Sequence, residues 1–96
     1  MSRRVKFEFR LYVATDAQNS VQAINNLRAF CHTYLPERHE IEVVDVYKEP
    51  RQALADGIFM TPTLLKLAPL PTQRIVGTLK QTQTVLNALG IEGFAS

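Results

Sequence analysis

This chain is poor in the residues that carry most protein chemistry. It has one cysteine, Cys31, among 96 residues, which excludes an internal disulfide and Cys-x-x-Cys chemistry. Its two histidines, His32 and His39, flank Pro36. With one cysteine they are too few for a zinc site, and a helix-end or solvated role is expected. No apolar run is long enough to span a bilayer. The opening Met-Ser-Arg-Arg-Val-Lys lacks the apolar stretch of a signal peptide, so a cytoplasmic location without membrane contact is expected. The net charge of +2 is small and both signs are interspersed, which gives no argument for a nucleic-acid partner. There is no carboxylate pair, glycine-rich phosphate loop or nucleophile-base-acid set. Neither catalysis nor a cofactor is expected on these grounds.

Proline, by contrast, is concentrated. Residues 61–77 read Thr-Pro-Thr-Leu-Leu-Lys-Leu-Ala-Pro-Leu-Pro-Thr-Gln-Arg-Ile-Val-Gly. Pro62, Pro69 and Pro71 each fix their own φ, remove a donor and restrict the residue before them. The segment should form one stiff hairpin or be able to take more than one pairing. The length and the 46% hydrophobic content suit one small domain with a modest core.

From Lys6 to Val13, Phe7, Phe9, Leu11 and Val13 alternate with Lys6, Glu8, Arg10 and Tyr12. Period two predicts a strand with one apolar face. Ala14 to Asn19 is turn-like, and Asn19 or Ser20 can cap a helix. Val21, Ile24, Leu27, Phe30 (or Cys31) and Tyr34 then recur at helical spacing, and Pro36 ends that helix. Ile41, Val43 and Val44, leading to Asp45 and Val46, form a second strand. Pro50 suits a first helical position, so Arg51 to Asp56 is a short helix closed by Gly57. Thr63 to Leu67 and Gln73 to Val76 are strands three and four. Thr78 can cap a last helix carrying Leu79, Val85 (or Leu86) and Leu89, with Gly90 its terminator.

The order βαβαββα is the connectivity of a thioredoxin-like α/β domain, with one parallel crossover and a C-terminal hairpin. In such enzymes the working thiol sits after the first strand, where the helix N-terminus lowers its pKa. The matching positions, Thr15, Asp16, Ala17, Gln18, Asn19 and Ser20, hold no cysteine. A thioredoxin- or glutaredoxin-like redox or glutathione-binding protein is therefore the weaker reading, and Cys31 is expected in the core. Asp45 and Lys48 close the second strand, and Arg74 is an edge-strand charge of the kind that blunts aggregation.

The residues also resemble the KaiB family of circadian clock proteins. The likeness covers Arg10 to Leu89. It includes Leu11-Tyr12-Val13-Ala14, Asn19-Ser20, Val43-Val44-Asp45-Val46, Lys48 and Pro50. The string Thr61-Pro62-Thr63-Leu64, Lys66, Pro69-Leu70-Pro71, Arg74-Ile75 and Gly77 completes it. The resemblance implies a non-enzymatic adaptor that binds the ring-shaped ATPase KaiC, captures KaiA and competes with SasA. It implies two folds as well: a thioredoxin-like monomer, and a tetrameric ground state ordered βαββααβ. Pro62, Pro69 and Pro71 are the proline positions it ties to that change. The sequence departs from the family at Thr15-Asp16-Ala17-Gln18, at Thr78-Leu79-Lys80-Gln81, at Ala88-Leu89-Gly90 and after Gly90, where the family's acidic tail is missing. Ala in place of Gly favours a helix by up to about 1 kcal/mol, so Ala88 and Gly90 favour the thioredoxin-like monomer over the homotetramer. The contact patch expected from the matched charges includes Asp45, Lys48, Arg51 and Lys66, with Arg74 as a further partner-binding candidate.

Overall fold

A computed structural model describes residues 5–15 and 17–91. Asp16 and the segment 92–96 discussed above lie outside the described residues. The elements are β1 (Phe7–Val13), α1 (Gln18–Tyr34), β2 (His39–Asp45), α2 (Pro50–Ala55), β3 (Thr63–Ala68), β4 (Gln73–Val76) and α3 (Thr82–Leu89). This is the βαβαββα order expected from the pattern, and residues 63–68, 73–76 and 82–89 do not take the alternative order. The strands lie β2-β1-β3-β4. β1 runs parallel to β2 and antiparallel to β3, which pairs antiparallel with β4.

Alternation in β1 sends Phe7, Phe9, Leu11 and Val13 into one core with Ala23, Leu27, Phe30, Cys31, Leu35 and Leu64. Val85, Leu86, Leu89 and Ile91 close that core from α3 and its end. The opposite face is also covered at its upper end. There Tyr12 is buried with Val44, Ala53, Ile58 and Leu65. So β1 is buried on two sides at Tyr12, where alternation alone suggested a solvated face.

Three local expectations change. Ala17, with extended backbone and no side-chain bond, stands at the start of α1. Ser20 lies inside the helix, where its Oγ accepts from the Ala14 N–H at 3.0 Å. The inward stripe of α1 is Ser20, Ala23, Leu27, Phe30 and Cys31, and Val21 is 50% exposed. Thr78 does not cap α3. Leu79 takes a left-handed φ of 67° to drop its side chain into the core, and the helix starts only at Thr82.

α3 ends as expected. Gly90 sits at φ 71°, its N–H bonds the Asn87 carbonyl, and the Ile91 N–H bonds the Leu86 carbonyl. That pattern satisfies two helix-end carbonyls and brings Ile91 back onto the core. Pro62, Pro69 and Pro71 all follow cis bonds. They bracket β3 and the β3–β4 connection.

α2 has only six residues and buries one of them, Ala53. A helix this short cannot persist on its own backbone bonds. Pro50 starts it, and polar contacts hold its far end. The Asp56 carboxylate accepts the Tyr12 hydroxyl at 2.5 Å and Arg10 Nη1 at 3.1 Å. Arg10 Nε also donates to Glu42 at 2.7 Å, tying β1, β2 and α2 together. The Tyr12 hydrogen bond, joined by Arg10, holds the Asp56 carboxyl below its usual range. Burial, reinforced by Asp56, pushes the Tyr12 phenol up to about 12.

Two outcomes check this description. Gly90→Ala meets no atom within 4 Å of the added Cβ, so its cost is the backbone strain alone, about 1 kcal/mol in urea unfolding. Tyr12→Phe should cost about 1–3 kcal/mol near neutral pH, because it leaves a charged acceptor short of a donor. Asp56 has a lowered folded pKa. Its contribution is therefore complete above the unfolded value of about 3.9 and is lost as pH falls through the folded value. The gap between wild type and Tyr12→Phe should narrow on acidification, and a gap that stays constant would count against the Tyr12–Asp56 bond.

Candidate functional site

The loop after β1 and the first turn of α1 occupy the place where a thioredoxin-like enzyme keeps its thiol. Thr15, Ala17, Gln18, Asn19 and Ser20 bring no cysteine there, and Ser20 is spent on the Ala14 N–H. Cys31 lies about three turns beyond Ser20, fully buried, and burial pushes its thiol up to about 12. It is a core residue, as its place on the stripe suggested. His39 Nδ1 lies 2.7 Å from the Leu35 carbonyl, at the end of α1, and His32 is exposed in the last turn of that helix. Among the described residues no cluster of His, Cys, Asp or Glu could hold a metal ion, and no helix is long and apolar enough to cross a membrane.

A groove of about 660 Å³ opens beside β2, with Val21, Ile24 and Val43 on its apolar wall and Asp45, Lys48 and Gln52 on its polar side. Asp45 shapes the turn that leaves β2. Its carboxylate accepts the Tyr47 N–H at 2.7 Å, and its carbonyl accepts the N–H groups of Lys48 and Glu49. Such a side-chain-to-backbone turn fixes where the chain enters α2.

The second surface is apolar and exposed. Leu54 on α2 is 69% exposed, and Phe59 and Met60, just past Gly57, are 85% and 63% exposed. Tyr47, before α2, is 75% exposed. Three large apolar side chains within residues 54–60 are more than the scattered single residues normal on a surface. The segment is held from within. Gly57 takes a φ of 69°, the Ile58 side chain enters the core on this side of the sheet, and Thr63 Oγ1 donates to the Met60 carbonyl at 2.6 Å. Chain direction is thus fixed while Phe59 and Met60 face out.

The sequence candidates separate in space. Asp45 and Lys48 line the groove, and Arg51 is exposed on α2. Arg74 on β4 donates to the carbonyls of Gly57 and Asp56, both at 2.7 Å. Lys66 is only 3% exposed. Its ammonium lies 6.0 Å from the centre of the Phe7 ring, on the α1 side of the sheet, and burial lowers its pKa. An exposed patch that includes Lys66 therefore does not form. Phe59 and Met60 follow no helical or strand period, so no periodic pattern in the sequence marks them. Their sequence signal was two large apolar residues placed between Gly57 and Thr61-Pro62.

Comparison with known proteins agrees with this geometry. The family model described as the KaiB domain matches residues 10–91. The chain is 39% identical over 82 residues to the circadian clock protein KaiB3 of a Synechocystis species, covering 85% of this chain and 80% of that protein. It is 38% identical over 91 residues to the circadian clock oscillator protein KaiB of Synechococcus elongatus, covering 95% and 89%. Among solved structures, the N-terminal domain of Synechococcus elongatus SasA matches with a TM-score of 0.73 at 17% identity, covering 96% of this chain and 90% of that one. A Fasciola hepatica thioredoxin matches with 0.72 at 13%, covering 93% and 84%. At such identities the last two show the fold, which is thioredoxin-like. With 82 residues aligned at 39% identity and the KaiB domain running from Arg10 to Ile91, the chain belongs to the KaiB family.

Proposed function

We propose that this chain is a non-enzymatic, cytoplasmic adaptor that docks on a KaiC-type ring ATPase and modulates its phosphorylation cycle in a timing circuit. Family membership supports the class of partner, since the relatives are named as circadian clock proteins. The observation that carries the docking surface is the exposed run Leu54, Phe59 and Met60, with the cations Arg51 and Lys48 on the same stretch of chain. Apolar anchors supply most of the affinity of such an interface, and the charges at its rim set encounter rate and register. A SasA-like sensor shares the fold, which supports competition for the same site on the ATPase. Capture of a KaiA-like protein by the resulting complex belongs to the same reading.

The redox alternative has little to stand on. Its thiol would have to be Cys31, which is buried in the core.

The resting form in this proposal is the thioredoxin-like monomer, and any second fold of residues 63–90 would be the minor state. Ala88 lies inside α3 and Gly90 caps it, which favours the helical arrangement of that segment. Sedimentation of the isolated chain should give the mass of one copy; a mass near four copies would contradict this.

Binding to a KaiC-type ATPase should weaken about tenfold or more in Phe59→Ala, a loss typical of an interface anchor. Lys48→Glu and Arg51→Glu should slow association and make it less salt-dependent. Wild-type affinity in all three variants would remove this surface from the contact.

A further inference from the structure

We propose that Arg74 is a positioning residue: from β4 it clamps the C-terminal turn of α2 and so sets the docking surface without touching the partner. The first half of this inference stands on geometry alone, and the second rests on the adaptor reading.

A helix ends with carbonyls that have no partner within it. In α2 the turn after Ala55 uses two of its own amides to satisfy some of them. The Gly57 N–H bonds the Leu54 carbonyl and the Ile58 N–H bonds the Ala53 carbonyl. Further along the turn, the carbonyls of Asp56 and Gly57 accept from the two Nη atoms of Arg74 on β4, one each at 2.7 Å. A planar guanidinium can fork across two acceptors in this way, whereas an ammonium is a point donor. The cation also lies at a helix C-terminus, where positive charge is favoured. Gly57 sits in this turn at a left-handed φ of 69°, which disfavours any side chain; a Cβ there would only touch Arg74 Nη2, at 3.6 Å.

The clamp matters because little else links α2 to that end of the sheet. Ala53 is the one buried residue of the helix. Arg10 and Tyr12 reach the Asp56 side chain from β1, and Arg74 reaches its backbone from β4. Leu54 lies two residues before the clamped Asp56, and Phe59 follows the clamped Gly57 by two residues. The direction in which these apolar side chains leave the surface is thus tied to β4.

The test compares Arg74→Ala and Arg74→Lys with wild type in two measurements. Amide hydrogen exchange on the isolated chain needs no partner. The Gly57 and Ile58 amides should exchange about tenfold faster or more in both variants, each having lost charged hydrogen bonds. The Leu11 and Leu64 amides, which report the core, should stay as in wild type. Affinity for the KaiC-type ATPase should then fall alike in both variants, because Lys keeps the charge but not the fork. Unchanged exchange at Gly57 and Ile58 in Arg74→Ala overturns the clamp. Wild-type affinity in Arg74→Lys beside a loss in Arg74→Ala also overturns it, since that marks a direct charge contact. If the wild-type chain binds no such ATPase, the adaptor reading fails, and the exchange data still decide the clamp.

Discussion

The Asp56 carboxylate is the point on which the placement of α2 and the exposed residues around it depends. Tyr12 has no exposure at all, so its hydroxyl must find an acceptor or carry the full cost of lost hydration. Asp56 supplies that acceptor and is itself kept ionised by Tyr12 and Arg10. The same contact holds a six-residue helix that could not stand by itself. Without it, α2 would be tethered by Ala53, by Ile58 beyond its end and by Arg74, and the exposed residues around it would lose their common direction.

The central strand makes this possible by serving two layers. One side of β1 feeds a large apolar core closed by α1 and α3. That core needs no polar help, because hydrophobic burial is non-directional and tolerant of detail. The other side meets a smaller core and then passes into a polar network of Arg10, Tyr12, Glu42 and Asp56. Polar contacts are directional, so this side fixes orientation where the first side fixes stability. The exposed Leu54, Phe59 and Met60 lie beside this oriented side.

Much of the fold was legible in the sequence because its signals are local. Alternation along β1, the helical spacing in α1, Pro50 at a helix start, and Gly57 and Gly90 at helix ends are all read within a few residues. The failures are also physical. Val21 has the right spacing but faces out, because the buried stripe of α1 runs through Ser20, Ala23, Leu27, Phe30 and Cys31. Thr78 is a good capping residue, yet burying Leu79 takes the chain through a left-handed turn before α3 begins. The Tyr12–Asp56 bond joins residues 44 apart, and no period reports such a pair. Lys66, expected in the contact patch, is buried instead. Its long apolar stem allows the side chain to lie over Phe7 while belonging to a buried row of β3. Phe59 and Met60 carry no pattern, and only the structure shows them exposed.

This KaiB-family chain thus holds its exposed apolar run by two polar anchors, one at the Asp56 side chain and one at its backbone. The measurement that tests it most directly is a titration of the isotope-labelled chain with a KaiC-type ring ATPase, followed by backbone NMR. The account predicts helical shifts over Thr82–Leu89 before any partner is added, then signal loss centred on Arg51, Leu54, Phe59 and Met60. Strand shifts over Thr82–Leu89 in the free chain, or signal loss confined to the outer face of α1, would contradict it.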